Sequence, residues 1–342
     1  MKKYSFKNDY SEGAHPRILE ALMQNNFQQE EGYSNDDFCK KAADAIRKEI
    51  KNNFSEIFFV SGGTQANLIV MAAALKPFES VIAANSGHIS LHEAGAIEAT
   101  GHKINIIESD DGKIKATEIE EIVLQHQDDP PHMVVPKLVY ISQSTELGTI
   151  YSKSEVDEIS KTCKKYNLYL YVDGARLGVA LTSSKNDLSI EYLLARCDAI
   201  CIGGAKNGAL LGEAIVVNNK EISEYFKNHM KQRGALMGKS RIFGIQFLEF
   251  FKDGLYYETA KHANKMAEKL KNGIEKAGFG FLTESYTNQI FPIFPKEMIK
   301  TLEENFEFYH WKEVDKENLA IRLVTSWATK EEKVDKFLSY LD

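Results

Sequence analysis

An amine and a carboxylate stand at the ends of two apolar runs in the middle of the chain. Lys206 follows the run that begins at Asp198, and Asp173 ends the run that begins at Leu168. Both runs are typical of buried strands. An amine in such a place can form an imine with an aldehyde cofactor, and a carboxylate can keep a pyridine nitrogen protonated. The pair therefore predicts a site for pyridoxal 5'-phosphate (PLP).

Both residues also have simpler interpretations. Lys206 could reach water from a strand end along its aliphatic chain, and Asp173 could cap the segment after its strand. The neighbours of the lysine favour a ligand, because Gly203, Gly204 and Gly208 leave room for a ring. Burial would also lower the pKa of the Lys206 amine and make it a better nucleophile.

A glycine pair follows the first strand of the alternating region and opens a helix. Gly62, Gly63 and Thr64 lie where glycines let the backbone approach an anion and where a helix N-terminus offers free N–H groups. The arrangement fits a cofactor phosphate, and the alternative is that Thr64 only caps the helix. The pattern differs from the glycine-rich fingerprints of nucleotide sites.

Two histidines and one arginine are further candidates. His88 and His92 share one helical face, but a metal site would need a third ligand that the sequence does not offer. A histidine ring can instead stack on a cofactor, or it can lie in the core. Arg322 stands inside a β run, where a guanidinium needs an anion or an exposed strand edge. A substrate carboxylate would supply that anion.

Composition argues against several classes of protein. The chain has 342 residues, of which 43% are hydrophobic and 27% charged, and its net charge is −7. This acidic balance argues against a nucleic-acid surface. We expect neither a membrane span nor a signal peptide, since no apolar run has the required length. The four cysteines lack Cys-x-x-Cys spacing, which favours a reduced, cytoplasmic setting.

Short β-branched runs alternate with helical patterns through the middle of the chain. This alternation predicts an α/β fold with a mostly parallel sheet flanked by helices and a ligand beyond the carboxyl ends of the strands. A helix is predicted from Ser154 to Tyr166, with Asp157 completing a capping box, and Glu213 to Val217 is expected to close the sheet. Three segments are predicted: an N-terminal arm and helix (1–25), a large PLP-binding domain (26–244) and a small C-terminal α+β domain (245–342).

Five motifs occur in the same order as in low-specificity L-threonine aldolases, which the chain resembles. These are Ser61-Gly-Gly-Thr64-x-Ala-Asn67, His88-Ile-x-x-x-Glu93-Ala-Gly95, Val172-Asp-Gly-Ala-Arg-Leu177, Gly203-Gly-Ala-Lys206-Asn-Gly208 and Ile321-Arg-Leu-Val-Thr-Ser-Trp327. Such enzymes belong to the β-eliminating lyase group of fold-type I PLP-dependent enzymes. The resemblance implies retro-aldol cleavage of a β-hydroxy-α-amino acid to glycine and an aldehyde. It also implies a homotetramer built from dimers, with Tyr33 in the loop at the dimer interface.

The resemblance further implies a role for each candidate toward the cofactor. Lys206 would hold PLP as a Schiff base, Asp173 would pair with the pyridine nitrogen, and His88 would stack on the ring. The phosphate would be held by Gly62, Gly63 and Thr64, with Arg233 as a further contact.

Three residues are implied in substrate binding. Arg176 would lie near the ring oxygen and the substrate carboxylate, Arg322 would bind that carboxylate, and Asn8 would be a small polar helper.

One segment departs from the family pattern. Many members carry Glu-Asn-Thr-His-Asn where this chain has Ser142-Gln-Ser-Thr145-Glu146, so that the histidine position falls on Thr145. His92 or a phosphate-bound water would then have to act on the substrate hydroxyl. A phenylserine-type aldolase, another PLP-dependent lyase acting by β-elimination, and a catalytically silent scaffold remain as alternatives.

Overall fold

In the computed structural model, which describes residues 3–341, strands and helices alternate along most of the chain. The strands, in chain order, are β1 (Tyr4–Ser5), β2 (Glu56–Val60), β3 (Glu79–Ala84), β4 (Ile104–Ile107), β5 (Val135–Ser142), β6 (Tyr169–Asp173), β7 (Ala199–Gly203), β8 (Glu213–Val217), β9 (Gln289–Ile290), β10 (Ile293–Pro295), β11 (Phe306–Glu307), β12 (Tyr309–Glu313) and β13 (Asn318–Val324). The α-helices are α1 (Pro16–Gln24), α2 (Asp37–Glu49), α3 (Gly63–Ala74), α4 (His88–Leu91), α5 (Ala116–Gln127), α6 (Lys153–Lys165), α7 (Leu177–Leu181), α8 (Ile190–Leu194), α9 (Lys220–Ser223), α10 (Phe226–Gln232), α11 (Arg241–Lys252), α12 (Leu255–Lys276), α13 (Lys296–Glu303) and α14 (Glu331–Leu338).

The large sheet has the strand order β2-β8-β7-β6-β5-β3-β4. Strands β7, β6, β5, β3 and β4 are parallel neighbours, whereas β8 is antiparallel to both β7 and β2. The predicted fold class, a mostly parallel sheet flanked by helices, is therefore confirmed. The sequence prediction that β8 closes the sheet is wrong: β8 is buried along its length and paired on both sides, and β2 forms that edge.

Helices cover both faces of this sheet because its central strands are apolar on both sides. Successive strand residues point to opposite faces. Leu138 and Ala199 enter a core shared with α3 and α10, while their neighbours Val139 and Ile200 enter a second core shared with α2, α6 and α11. The sheet is thus held rigidly from both sides, and its carboxyl edge is free to carry a site.

The start of α6 differs from the sequence prediction. Its N-cap is Ser152, and Ser152 and Glu155 form a reciprocal capping box, in which the Ser152 backbone N–H donates to Glu155 Oε2 at 2.7 Å. Asp157, predicted to complete the box, instead accepts from Arg196 Nε at 2.7 Å. Two capping patterns overlap here, one starting at Ser152 and one at Ser154. The structure uses the first, in which the Glu155 side chain accepts from the N-cap backbone.

A second, antiparallel sheet lies in the C-terminal part of the chain. Its order is β10-β13-β12, with β9 also paired to β13, and α12, α13 and α14 pack on it. The N-terminal strand β1 pairs in parallel with β11, and the next residue, Phe6, is buried in the same core. The N-terminal segment thereby becomes part of this C-terminal layer. No helix within residues 3–341 is long and apolar enough to cross a membrane.

Candidate active site

A cleft opens at the carboxyl edge of the large sheet. Asp173 is the last residue of β6, and Lys206 lies in a short 3₁₀ turn (Ala205–Asn207) directly after β7. Because β6 and β7 are parallel neighbours, both side chains reach the same edge. The cleft is lined by Gly63, Asn67, His88, Ser142, Ser144, Glu146, Asp173, Ala175, Arg176 and Lys206.

The two glycines before Lys206 are required by close backbone contacts. A Cβ atom on Gly203 would lie 2.3 Å from the carbonyl oxygen of Ala175, and one on Gly204 would lie 2.5 Å from that of Gly212. The backbone before Lys206 therefore packs closely against the segments that contain Ala175 and Gly212. Only residues without a side chain permit this approach.

Asp173 is buried and hydrogen-bonded on both oxygens. Its Oδ2 accepts from Tyr140 Oη at 2.7 Å and from Asn67 Nδ2 at 3.1 Å, and its Oδ1 accepts from the backbone N–H of Ala175 at 2.9 Å. These three donors fix the position of the carboxyl group at the end of β6. The pKa of the Tyr140 hydroxyl is raised well above its ordinary value by burial and by the Asp173 charge, so Tyr140 remains a donor.

The imidazole of His88 is oriented by a buried carboxylate. His88 Nδ1 lies 2.8 Å from Glu93 Oε1, and the Glu93 side chain is fully buried. Asn67 Nδ2 donates to the same Glu93 oxygen at 2.6 Å while also donating to Asp173. One amide group thus links the histidine and aspartate positions. Glu93 Oε2 is buried without a hydrogen-bond partner in the part of the chain that the structure describes.

Opposing charges act on Lys206. Burial, followed by the nearby Arg176 charge, lowers the pKa of its amine, and the carboxylates of Asp9, Asp173 and Glu213 oppose that change. The balance favours the neutral, nucleophilic form more than for a lysine in water.

Arg176 is held by a residue that sequence reasoning missed. Its Nε and Nη2 donate to Asp9 Oδ2 and Oδ1 at 2.7 and 3.0 Å, and Asn288 Nδ2 donates to Asp9 Oδ2 at 2.9 Å. Burial alone would raise the pKa of Asp9, but the charges of Arg176 and Lys206 hold it below its ordinary value. No local sequence pattern around Asp9 predicts this contact, because Asp9 and Arg176 are 167 residues apart in the chain.

Arg322 lies on β13 with its guanidinium near two aromatic rings. Its Cζ is 5.0 Å from the Tyr309 ring centre and 5.1 Å from that of Trp311, and Nη2 donates to the Lys7 carbonyl at 3.3 Å. Its Nε is buried without a hydrogen-bond partner among the described residues. Burial and the Arg176 charge lower the pKa of Arg322. Arg322 is not among the residues that line the cleft.

The other predicted site residues lie farther from the centre of the cleft. Asn8 Oδ1 accepts from the Tyr10 backbone N–H and from Ser11 Oγ, so this side chain closes a local turn. His92 is exposed, with its ring centre 5.6 Å from that of His88. Arg233, at the end of α10, donates to Gln232 Oε1 at 2.7 Å. Within one chain the structure does not bring Arg233 into the cleft lining.

The N-terminus of α3 faces this cleft without a side-chain cap. The N-cap Gly62 offers no capping hydrogen bond, Gly63 lines the cleft, and a Cβ atom on either glycine would meet no atom within 4 Å. Thr64 is exposed in the first turn. Free N–H groups and the helix dipole make such an open end suited to an anion. Within residues 3–341 no group of three or more His, Cys, Asp or Glu is arranged to hold a metal ion.

The amino-acid sequence matches a known family. Residues 9–296 match the family described as Beta-eliminating lyase. The chain belongs to the beta-eliminating lyase family. The sequence prediction of this membership is therefore confirmed.

Relatives of this lyase agree with that membership. A protein from Pseudomonas aeruginosa named low specificity L-threonine aldolase is 34% identical over 270 residues, which are 78% of this chain and 76% of the relative. The solved structure of Leishmania major threonine aldolase shares 44% identity with a TM-score of 0.97, covering 99% of this chain and 98% of that one. A Thermus thermophilus aspartate aminotransferase variant, at 16% identity and a TM-score of 0.73, covers 99% of this chain and 90% of its own, and it shows the fold alone.

Proposed function

We propose that this lyase is a threonine aldolase that uses PLP to cleave L-threonine, L-allo-threonine or a related β-hydroxy-α-amino acid to glycine and an aldehyde. One observation carries the proposal: Lys206 and Asp173 meet in a single cleft at the carboxyl edge of the sheet, within a chain that belongs to the beta-eliminating lyases. The relatives named as threonine aldolases support the choice of reaction.

The cleft residues fit PLP by three independent features. The uncapped start of α3 suits the phosphate, the carboxyl group of Asp173 suits a pyridine nitrogen, and the amine of Lys206 suits the aldehyde. Glu93 orients the imidazole of His88, which would lie against the cofactor ring. When bound, PLP supplies an electron sink for the charge left on the substrate Cα.

The chain's own groups bind and orient the substrate. Asp9 fixes Arg176, and the buried Nε of Arg322 has no acceptor among residues 3–341. We infer that the two guanidinium groups supply donors for a substrate carboxylate. By clamping the carboxylate, these groups would fix the orientation of the substrate and so select which bond at Cα breaks. Lys206, with its lowered pKa, can take up or return a proton at Cα.

We further propose a cytoplasmic homotetramer built from dimers. Several large apolar side chains near the segment 22–31 and the loop before α11 are exposed, among them Phe27 at 94% and Met237 at 36%. Monomers rarely leave such groups in water when they cluster. Tyr33 lies beside this surface, because its backbone N–H donates to the Met237 carbonyl at 3.2 Å. We infer that Tyr33 and Arg233 reach the cleft of a second copy. Equilibrium sedimentation of the purified protein tests the assembly.

A product assay tests the reaction. Purified protein is incubated with L-threonine, L-allo-threonine or L-phenylserine, with and without added PLP, and glycine and aldehyde are measured together. Equal amounts of glycine and aldehyde are expected, with a PLP-dependent rate. Release of a keto acid and ammonia in place of glycine would indicate β-elimination. Absence of any turnover, together with absence of a visible cofactor band, would indicate a silent scaffold.

A further inference from the structure

The family histidine position is occupied by a side chain that faces away from the cleft. Thr145 is fully buried, and its Oγ1 lies 2.7 Å from Thr149 Oγ1. Its Cβ and Oγ1 would lie 3.1 Å from a Cβ atom built on Gly112. Thr145 therefore packs inside the loop that follows β5, against Thr149 and Gly112. Its two neighbours, Ser144 and Glu146, line the cleft instead.

The carboxylate of Glu146 is anchored through one oxygen only. Glu146 Oε1 accepts from the backbone N–H of His88 at 2.9 Å and from Ser142 Oγ at 2.7 Å. Both anchoring contacts end on Oε1, and residues 3–341 provide no hydrogen bond to Oε2. A carboxylate held in this way is rigid and still offers an acceptor to a molecule in the cleft.

The surroundings of Glu146 make it a suitable proton acceptor. Burial raises the pKa of this carboxyl, the hydrogen bond from Ser142 opposes the shift, and the nearby Asp173 charge adds to it. A carboxylate with a raised pKa binds a proton more strongly and is therefore a stronger base.

We propose that Glu146 accepts the proton of the substrate β-hydroxyl during cleavage. The inference rests on the proposed aldolase function. As the hydroxyl proton moves to Glu146 Oε2, the O–H electron pair becomes the second bond of the aldehyde carbonyl and the Cα–Cβ bond breaks. The electron pair of that bond remains with the glycine fragment, and Cα then regains one proton. Atoms and charge balance, because glycine and aldehyde together contain every atom of the substrate.

His92 is the competing acceptor. His92 is an exposed residue whose ring centre lies 5.6 Å from that of His88, and partial burial together with the charges of His88 and Arg322 lowers the pKa of its imidazole. Nothing among the described residues fixes the His92 ring by a side-chain hydrogen bond, whereas two donors fix Glu146. A fixed base is favoured because proton transfer requires contact geometry.

The test separates two reactions of the holoenzyme. Aldehyde release from L-threonine requires loss of the hydroxyl proton, whereas exchange of the glycine α-proton in D2O, followed by NMR, does not. For Glu146→Gln we expect aldehyde release to fall at least about 100-fold, with glycine exchange within about threefold of the wild type. Glu317→Gln, on an exposed loop of the small sheet, is the matched control. The visible cofactor band and the thermal unfolding midpoint of each variant report whether the site and the fold persist.

The outcomes divide cleanly. Selective loss of aldehyde release supports the inference. Parallel loss of both reactions would mean that Glu146 only supports the structure of the site. Retention of both would mean that Glu146 has no role in either reaction. Either result overturns the inference. Selective loss in His92→Asn but not in Glu146→Gln would assign the proton to His92 and also overturn it. A wild-type protein that exchanges glycine but releases no aldehyde would refute the proposed function itself.

Discussion

The carboxylate of Asp9 and the guanidinium of Arg176 form a two-point ion pair between the N-terminal segment and the loop after β6. The two bonds measure 2.7 and 3.0 Å, and the Asp9 side chain is 1% exposed. The segment is also tied down by β1, which pairs with β11. The N-terminal segment therefore fixes an arginine at the floor of the cleft and joins the small sheet to the large one.

Removing the Asp9 charge should destabilise the fold and disturb the cleft. Asp9→Asn leaves Arg176 buried without its counter-charge, which costs about 3–5 kcal/mol of unfolding free energy. Chemical denaturation at neutral pH measures the loss. Asp110→Asn, an exposed carboxylate, is the matched control and should change stability by less than about 0.5 kcal/mol. Equal effects of the two substitutions would contradict the assigned importance of the ion pair.

Lys206→Ala should abolish cofactor attachment and aldehyde release. Among the described residues that line the cleft, Lys206 alone carries an amine that can form an imine, and the variant lacks it. The visible absorption band of the cofactor and the rate of aldehyde formation from L-threonine check this expectation. Lys185→Ala, on a lysine outside the cleft lining, serves as the control. Retained cleavage in Lys206→Ala would remove the imine role.

Replacement of Arg322 should weaken substrate binding more than it weakens the fold. Arg322→Lys keeps the positive charge but loses the planar fork, so we expect KM to rise at least about tenfold because bidentate contact is lost. Steady-state kinetics and the unfolding midpoint are measured together. A KM like that of the wild type, with a lowered unfolding midpoint, would mean that Arg322 serves only the contacts with Tyr309 and Trp311.

Glu213 should make the stability of the wild type depend on pH. It is buried on β8, its Oε2 accepts from the Gly204 backbone N–H at 2.6 Å, and burial raises its pKa from 4.5 to about 8. Between these values the folded chain binds more protons than the unfolded chain, so stability falls as pH rises through this window.

Glu213→Gln removes that titration and keeps an acceptor for Gly204. The unfolding free energy of the variant relative to the wild type should therefore increase between pH 4.5 and pH 8, by up to roughly 1 kcal/mol per pH unit. Denaturation curves collected across the window measure this difference. A constant difference would mean that Glu213 is already ionised throughout.

The sequence by itself determined the fold class and the two principal groups of the cleft. Continuous apolar runs require strands buried on both faces, and parallel strands bring their carboxyl ends to one edge. Asp173 ends one such run and Lys206 follows another, so the strand pattern alone predicts that their side chains lie close together. The position of β8 and the start of α6 were mispredicted, because pairing partners and overlapping caps are decided by contacts that a local pattern does not contain.

Only the tertiary structure decided which other side chains serve the cleft. Asp9 meets Arg176 across 167 residues, and Asn67 joins Glu93 to Asp173 by one amide group. Glu146 turns into the cleft while the preceding Thr145 turns away from it. Such facts depend on the direction of a side chain within a loop and on contacts between distant segments. Strand and helix periodicity cannot specify them, because loops have no fixed period.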